Sequence, residues 1–338
     1  MTRRLTFRLL VFLLLAGGLL PMPAHAQPDA PVVTVQPDKA FFRPGEPATF
    51  SVTAPDGARV VARVTHLLDE VAQIEAPLQD GRASLRWEPP AAAPRGYGLA
   101  LRVLDEAGAE IAAASTAFDV LDHWLQAPRY GFLTEFGPGR DNIDATMAWA
   151  VRYHVNGLQF YDWQYRHEQL LPPADPYTDP LGRRLSLETV ARLIDAAHAR
   201  NIAAMPYTAI YGASPAFYEQ HPDWALFQAD GVAFDFGDGF LKIMDPTPGS
   251  PWADYLLDQF AQVLDQTTFD GIHLDQYGAP KAGRNDAGEP VDLAEVFPAF
   301  IDQAAALVHA KRDGGAMIFN AVGNWPVETV APAGQDVV

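Results

Sequence analysis

The sequence contains no cysteine among its 338 residues. Disulfide bonds, thiolate nucleophiles and cysteine-ligated metal sites are therefore excluded from its chemistry. Basic residues are also scarce, since 24 lysines and arginines stand against 42 aspartates and glutamates, for a formal net charge of -18. So acidic a surface argues against nucleic acid and anionic lipid as partners, because both are negatively charged themselves. It suits a neutral partner such as a sugar, and it is equally consistent with solubility alone.

The motifs of several enzyme classes are missing as well. The histidines are scattered and show neither H-x-x-x-H nor H-E-x-x-H spacing, so we predict no metal site. No G-x-S-x-G segment supplies the nucleophile elbow of a serine hydrolase. No glycine-rich phosphate loop follows a predicted strand, which argues against a doubly wound open sheet. We therefore expect chemistry that needs no cofactor.

The N-terminal segment has the pattern of a secretory signal peptide. Arg3, Arg4 and Arg8 precede or open an apolar run over residues 9–20, and an A-x-A pattern ends at Ala26. The run is too short to span a membrane comfortably, so cleavage after Ala26 is favoured over retention as an anchor. We predict a secreted or periplasmic protein without membrane contact after cleavage of residues 1–26.

Two regions of different character follow. Residues 27–124 contain short alternating runs separated by turn clusters, which is typical of a β-sandwich. Residues 125–338 repeat strand, loop and helix, which predicts an α/β region with a parallel sheet covered by helices. A (β/α)8 barrel is the favoured arrangement, and a doubly wound open sheet is the alternative.

The second region is predicted to contain five strands, the start of a sixth, and three helices whose bounds the sequence indicates. The strands are 130–136, 157–163, 203–211, 271–277 and 316–322, and the sixth begins at 335–338. The helices are 187–200, with Ser186 as its N-cap, 251–264 and 293–309. A (β/α)8 barrel takes about 250 residues, whereas 125–338 holds 214 (338 − 125 + 1). We therefore expect a barrel truncated after about five or six strands.

Polar and aromatic side chains cluster where these strands end, and barrel enzymes carry their chemistry at that edge. Aromatic rings stack on the apolar faces of pyranose rings, while amides, carboxylates and arginine bond sugar hydroxyls. The mixture therefore predicts a carbohydrate cleft. The candidate substrate-binding residues are Tyr161, Asp162, Trp163, Tyr165, Arg166, His167, Tyr207, Tyr211, His273, Gln276, Asn320 and Asn324.

Asp275 is the candidate catalytic residue. Period-two alternation along its strand puts His273 and Asp275 on one face and Ile272 and Leu274 on the other. A carboxylate at this edge can attack an anomeric carbon or stabilise an oxocarbenium-like transition state. The alternative is a structural carboxylate that accepts hydrogen bonds from the backbone or from arginine.

Five segments together resemble glycoside hydrolase family 66, the family of bacterial endo-dextranases and cycloisomaltooligosaccharide glucanotransferases. These segments are 129–133 (RYGFL), 156–167 (NGLQFYDWQYRH), 179–183 (DPLGR), 203–207 (AAMPY) and 269–276 (FDGIHLDQ). The resemblance covers roughly residues 30–338 and implies an immunoglobulin-like N-terminal domain before a (β/α)8 barrel. It implies retaining chemistry on an α-glucan, with the nucleophile at Asp275. The family's acid/base glutamate ends strand six, which is expected just beyond Val338, and the role is not transferred to Glu328.

Three hypotheses follow. The first is an endo-acting hydrolase of α-1,6-glucan such as dextran. The second is a transglycosylase of the same family that closes isomaltooligosaccharides into rings. The third is a non-catalytic carbohydrate-binding protein with a degenerate barrel, which an intact Asp275 disfavours.

Overall fold

The structure, a computed structural model, describes residues 32–338. The predicted signal peptide at 1–26 lies outside these residues, so its assignment stays a prediction. The described chain is a mixed α/β protein, with antiparallel sheets first and a parallel sheet with helices after them.

Seven strands form two antiparallel sheets in the N-terminal part. They are β1 Thr34–Pro37, β2 Ala48–Thr53, β3 Arg59–His66, β4 Asp69–Pro77, β5 Arg82–Trp87, β6 Arg95–Leu104 and β7 Glu110–Val120. The sheet orders are β1-β2-β5 and β4-β3-β6-β7. Residues alternate between core and solvent along β2, where Phe50 and Val52 are buried while Ser51 and Thr53 are exposed. One hydrophobic cluster is shared by both sheets.

The second part contains twelve strands, several of them short hairpin segments. They are β8 Tyr130–Leu133, β9 Gly157–Phe160, β10 Tyr177–Thr178, β11 Arg184–Leu185, β12 Ala203–Ala209, β13 Gly212–Ala213, β14 Asp235–Phe236, β15 Leu241–Ile243, β16 Gly271–Asp275, β17 Ala282–Arg284, β18 Pro290–Asp292 and β19 Ala316–Asn320. The α-helices are α1 Ile143–Arg152, α2 Leu187–His198, α3 Pro215–Gln220, α4 Pro251–Gln266, α5 Leu293–Lys311 and α6 Val327–Val330. Single 3-10 turns cover Trp124–Gln126, Pro222–Trp224 and Val322–Asn324.

Strands β8, β9, β12, β16 and β19 form one parallel sheet in which each strand lies beside its predecessor in the chain. A doubly wound sheet would reverse its order at a switch point, and no reversal occurs within residues 32–338. Val337 makes a parallel bridge with Ile318 of β19, so pairing of the predicted sixth strand begins there. Within the same residues the sheet is open.

Each of the five strands ends two or three residues before its predicted end. The predictions treated Glu135 and Asp162 as strand, but they have left-handed backbones, with φ of 69° and 56°. A strand cannot contain such residues, so the chain turns out of the sheet at the last paired residue. Glu135 and Asp162 therefore lie in turns rather than on strands, whereas Tyr207, Asp275 and Asn320 lie on β12, β16 and β19.

The helix predictions were close to the observed bounds. Helix α2 ends two residues earlier than predicted, whereas α4 and α5 each run two residues further. The cap prediction is confirmed, since Ser186 Oγ accepts from Thr189 N at 3.3 Å. Helix α5 has the length and hydropathy of a membrane span. It is nevertheless a core helix, because Phe297, Phe300 and Ile301 are fully buried.

The two faces of the parallel sheet have different neighbours. One face packs against the helices through alternate residues such as Leu274 and Phe319. On the other face, at the amino end of the strands, Met205 and Ile318 pack with Trp124 in a third cluster. Gly157 is required there, because a Cβ at this position would lie 2.7 Å from the Trp124 ring. The opposite, carboxyl end of the same face carries the polar residues described next.

Candidate active site

Asp275 is the last residue of β16 and sits between two hydrogen-bond donors from the neighbouring strands. Its Oδ1 accepts from Asn320 Nδ2 at 2.8 Å and its Oδ2 accepts from Tyr207 OH at 3.1 Å. Asp275 pairs with Asn320 of β19 and with Ala209 of β12, and Tyr207 lies two residues before Ala209 on the same face. The parallel register therefore brings the three side chains together.

This register depends on a glycine at the start of β16. A Cβ at Gly271 would lie 1.8 Å from the carbonyl oxygen of Ala316 in β19. Any other residue would force β16 and β19 apart, and with them Asp275 and Asn320 at the other end of the strands.

Burial sets the charge behaviour of Asp275. It raises the pKa of the carboxyl group, because desolvation disfavours the ionised form. The hydrogen bonds from Asn320 and Tyr207 act in the opposite direction. The two donors thus keep a poorly hydrated carboxylate oriented, which is what a group that attacks an electrophilic carbon needs.

Three tyrosines lie near this carboxylate. The Tyr161 ring lies 4.9 Å from the Tyr207 ring, and Tyr161 is 40% exposed. Burial raises the pKa of Tyr161, Tyr207 and Tyr277 above the ordinary value, with further increases from the negative charge of Asp275. All three therefore keep their protons at neutral pH and can donate hydrogen bonds.

His273 lies beneath Asp275 on the same strand face. Its ring stacks on Tyr130 with 5.7 Å between centroids, and Nδ1 is 3.1 Å from Tyr130 OH. Burial lowers the pKa of His273 to about 4, so the ring is neutral at neutral pH. His273 is 6% exposed, so it has little surface for a substrate and instead packs beneath Asp275.

An ion-pair cluster follows β9. Asp162 Oδ2 accepts from Arg183 Nη2 at 3.1 Å, and Asp179 Oδ2 accepts from Arg183 Nε at 2.7 Å. Burial raises the pKa of Asp162, and Arg183 partly offsets this. Arg183 thus holds Asp162 in its left-handed turn. This arginine was not among the residues predicted from the sequence.

Three predicted substrate contacts are corrected by their burial. Trp163 and Tyr211 are fully buried, and so is Gln276. Trp163 Nε1 donates to Tyr207 O at 3.1 Å, Tyr211 OH accepts from Tyr277 N at 2.8 Å, and Gln276 Nε2 donates to Trp325 O at 3.0 Å. With no accessible surface for a sugar, these side chains hold the strand exits in place.

The remaining predicted residues lie at the edges of this region. Arg166 Nη1 donates to Tyr165 O at 2.7 Å and to Thr178 O at 2.8 Å, and its guanidinium lies 4.0 Å from the Tyr165 ring centre. This pair therefore fixes the hairpin after β9. Asn324 is exposed in the turn after β19. His167 is 8% exposed and lines the pocket described next.

A pocket of about 200 Å³ adjoins Tyr161 and Tyr207. It brings together Asp162 and His167, which were predicted, and several residues that were not. The unpredicted residues include Gln164, Asp179, Arg183, Phe236, Phe240 and Tyr277. Tyr277 directly follows the Asp275-Gln276 pair, so it could have been found from the sequence. The two phenylalanines belong to the hairpin β14–β15, a long excursion between β12 and β16 without a sequence signal for the site.

A larger cavity of about 410 Å³ lies at the other end of the sheet, where His198, Asp270 and Trp124 line it. That is the amino end of the strands, where barrel folds do not place catalytic groups. Among residues 32–338, no group of three or more histidine or acidic side chains could hold a metal ion.

Comparisons with known proteins agree with the family resemblance. The sequence model of glycosyl hydrolase family 66 matches residues 37–338. Two curated relatives from Niallia circulans are cycloisomaltooligosaccharide glucanotransferases, 28% and 27% identical over 97% and 94% of this chain. A crystal structure of a Paenibacillus sp. cycloisomaltooligosaccharide glucanotransferase complexed with cycloisomaltoheptaose matches 90% of this chain, with a TM-score of 0.79 and 27% identity. This chain spans only 37% and 35% of the two relatives and 47% of the solved chain.

Proposed function

This chain belongs to glycosyl hydrolase family 66, and from that premise we propose that it carries out retaining glycosyl transfer on an α-1,6-glucan with Asp275 as nucleophile. The observation that carries the proposal is the carboxylate at the end of β16, with a donor on each oxygen. A structural carboxylate would typically pair with arginine, whereas Asp275 accepts from two neutral side chains and from the backbone N–H of Gln276 beside a pocket.

The chemistry proceeds in two displacements. Asp275 attacks the anomeric carbon and forms a glycosyl ester, while the leaving glycosidic oxygen takes a proton from a carboxylic acid. A second hydroxyl group then attacks the same carbon, gives its proton to that acid's conjugate base, and releases the Asp275 carboxylate. Two inversions give net retention. The proton donor belongs about 5–5.5 Å from Asp275, and we expect it at the end of the sixth strand.

The identity of the second hydroxyl separates transfer from hydrolysis. A sugar hydroxyl of the same chain closes a ring, and water gives a linear product. The glucanotransferase names of both curated relatives and of the solved structure favour cyclising transfer. Dextran hydrolysis is the second candidate, because the same glycosyl ester on Asp275 serves both reactions.

The proposal extends to architecture and location. We take the parallel sheet as part of a (β/α)8 barrel in residues 125–338, supported by its sequential strand order and the bridge at Val337. We take residues 27–124 as an immunoglobulin-like sandwich, supported by two antiparallel sheets around one cluster. Export with cleavage after Ala26 completes the proposal and fits a polymeric substrate outside the cell.

The test is Asp275→Asn in the full-length protein, incubated with dextran and analysed for cyclic and linear products. The amide is nearly isosteric but cannot form the ester, so turnover should fall by about 10⁴–10⁶-fold. Asp258→Asn is the matched control, because Asp258 is exposed on α4. It should retain turnover.

Cyclic products from the unaltered protein support transfer, and linear products alone would favour hydrolysis. Turnover near that of the unaltered protein in a folded Asp275→Asn variant would remove Asp275 from the mechanism. If the unaltered protein binds glucan but does not cleave it, the result would support the third hypothesis, a non-catalytic binding protein.

A further inference from the structure

Two large aromatic side chains lie exposed beside each other at the end of helix α1. Trp149 is 53% exposed, and Tyr153, the residue that directly follows the helix, is 67% exposed. Their four-residue spacing places them on the same side of the helix. The ring planes are within 15° of parallel, and the ring centroids lie 5.7 Å apart. This is the separation of offset rings, so both rings present a flat surface to solvent.

Arg152 lies between these two residues in the chain and completes the surface. Its guanidinium carbon is 5.0 Å from the centre of the Trp149 ring, which is within the range of a cation–π contact. Arg152 is exposed, and the arginine–carboxylate pairs among residues 32–338 do not include it. Its five N–H donors are therefore not committed to a carboxylate. We call Trp149, Arg152 and Tyr153 the α1 aromatic surface.

The α1 aromatic surface lies away from the candidate active site. Helix α1 leads back from the carboxyl end of β8 to the amino end of β9, and Tyr153 comes four residues before Gly157, the first residue of β9. Asp275 lies at the opposite, carboxyl end of the same sheet. Met147 and Val151 of α1 are buried, so the exposed aromatic side of the helix faces away from the sheet. A ligand on this surface would not touch the residues around Asp275.

The chemistry of the surface fits a neutral ligand that is rich in hydroxyl groups. Flat aromatic rings stack on the apolar faces of pyranose rings, and guanidinium N–H groups donate to hydroxyl oxygens. The formal net charge of -18 disfavours nucleic acid and anionic lipid, which this protein would repel. An apolar protein segment would bury the charge of Arg152 without a carboxylate, which is unfavourable. A sugar chain leaves the guanidinium hydrated or hydrogen-bonded.

We propose that Trp149, Arg152 and Tyr153 form a second glucan-binding surface, which holds a stretch of the polymer outside the active site. This inference goes beyond the proposed function and rests on it only for the identity of the polymer. A chain that is bound at two places is held more tightly than at either place alone, because the second contact forms at a high effective concentration. The surface should therefore raise the affinity for long α-glucan and leave the affinity for short oligosaccharides unchanged.

The experiment combines Trp149→Ala with Tyr153→Ala in the full-length protein and compares turnover of long dextran and of short isomaltooligosaccharides. We expect KM for dextran to rise about tenfold or more, the low side of the gain that two linked contacts give. KM for the short substrates and kcat for both should not change. Trp149→Phe combined with Tyr153→Phe keeps two flat rings and should keep KM for dextran low. Leu68→Ala is the matched control, because Leu68 is 99% exposed in the turn between β3 and β4, and it should change neither constant.

Migration through native gels that contain dextran measures binding without turnover. Dextran should retard Asp275→Asn, and addition of Trp149→Ala and Tyr153→Ala should reduce the retardation. Unchanged retardation, with turnover of the unaltered protein intact, would overturn the second surface and leave the proposed function standing. An unaltered protein that dextran retards through these two rings, but that does not turn dextran over, would contradict the proposed function and support the surface. Absence of both retardation and turnover would overturn both proposals.

Two further readouts separate sugar binding from other roles of the surface. If another part of the chain packed on Trp149 and Tyr153, the double alanine variant would lose that packing and melt at a lower temperature, with KM for dextran per folded molecule unchanged. Co-sedimentation with phosphatidylserine vesicles that is abolished by the same changes would assign the surface to a membrane. Either result would overturn the proposal, which requires an unchanged melting temperature, no vesicle binding and a raised KM for dextran.

Discussion

Asp275 is subject to opposing influences that decide its protonation. Burial favours the neutral acid, while Asn320 and Tyr207 favour the carboxylate. The nucleophile that we propose must be ionised at the working pH, so its reactivity would depend on this balance. Each donor contributes to that balance separately, because each bonds a different oxygen.

Replacement of Tyr207 by phenylalanine tests this balance. The ring still packs, but Asp275 loses the hydrogen bond at 3.1 Å, and burial raises its pKa further. A hydrogen bond to a charged group contributes about 1.5–3 kcal/mol, so kcat/KM should fall roughly 10–100-fold. The acid limb of the pH profile of kcat/KM should move to higher pH, since the carboxylate is harder to ionise. An unmoved acid limb would show that Tyr207 does not control the charge of Asp275.

Local sequence pattern predicted the placement of some side chains correctly and of others incorrectly, for physical reasons. Alternation along a strand was enough to place Asp275 and His273 on one face. It could not place side chains in the turns after β9 and β12, where the backbone leaves the sheet. There Trp163 and Tyr211 turn inwards. Arg183 comes from 21 residues further along the chain than Asp162, a distance that no local pattern covers.

At the scale of the element, helix α2 shows how a short segment begins where the sequence predicts. Ser186 Oγ accepts from Thr189 N at 3.3 Å and also donates to Asp175 Oδ2 at 3.0 Å. Asp175 in turn accepts from the first backbone N–H group of the helix, that of Leu187, at 2.8 Å. Two side chains therefore share the capping of the same four free N–H groups.

This sharing predicts a modest effect for Ser186→Ala. Loss of an N-cap costs about 0.5–2 kcal/mol, and the low end applies because Asp175 remains. We expect the free energy of unfolding in urea to fall by about 0.5–1 kcal/mol. The control is Ser115→Ala, at an exposed position of β7, which should leave the free energy of unfolding unchanged. Asp175→Ala combined with Ser186→Ala should cost more than the two single changes added. Strict additivity would mean that the two caps do not substitute for each other.

The element bounds were predictable in type and less so in extent. Helices α4 and α5 were placed within two residues because their apolar spacing is regular. The strands were predicted at the right positions, but the predicted strands are longer than the observed ones. An aromatic residue in a turn has the same strand propensity as one in a sheet, so propensity does not show where a strand ends. The paired strands β10–β11, β13–β15 and β17–β18 are too short for any periodicity.

At the scale of the whole molecule, side chains tie the N-terminal sheets to the α/β region. Arg129 Nη2 donates to Asp119 Oδ2 at 2.6 Å, and Asn201 Nδ2 donates to Phe41 O at 2.9 Å. Near the same junction, His198 Nε2 lies 2.8 Å from Asp270 Oδ2, which also accepts from Ala204 N.

The His198–Asp270 pair makes stability depend on pH. The hydrogen bond to Asp270 raises the pKa of His198, against the effect of burial. Because the folded pKa exceeds the unfolded value of about 6.5, the contribution is fully present below that value and is lost as pH rises through the folded pKa. Both side chains are about one-third exposed, so the contribution is small.

The measurement is urea unfolding of the unaltered protein and of His198→Gln at pH 5.5 and 8.5. The variant should be less stable than the unaltered protein at pH 5.5, and the difference should shrink at pH 8.5. A difference that grows with pH would contradict the assigned direction of the His198 pKa.

The cluster of Phe41, Leu121 and Trp124 against Met205 and Ile318 bears on the order in which the molecule assembles. A chain is synthesised from its N-terminus, and domains tend to fold as units as they emerge. The first three of these side chains flank or follow the antiparallel strands, so they are in place before β12 and β19 exist. The N-terminal sheets would then present a folded apolar surface before β12 and β19 are synthesised. Parallel strands pair slowly and can aggregate while they are unpaired. An apolar surface that has already folded would give these strands a partner to pack against.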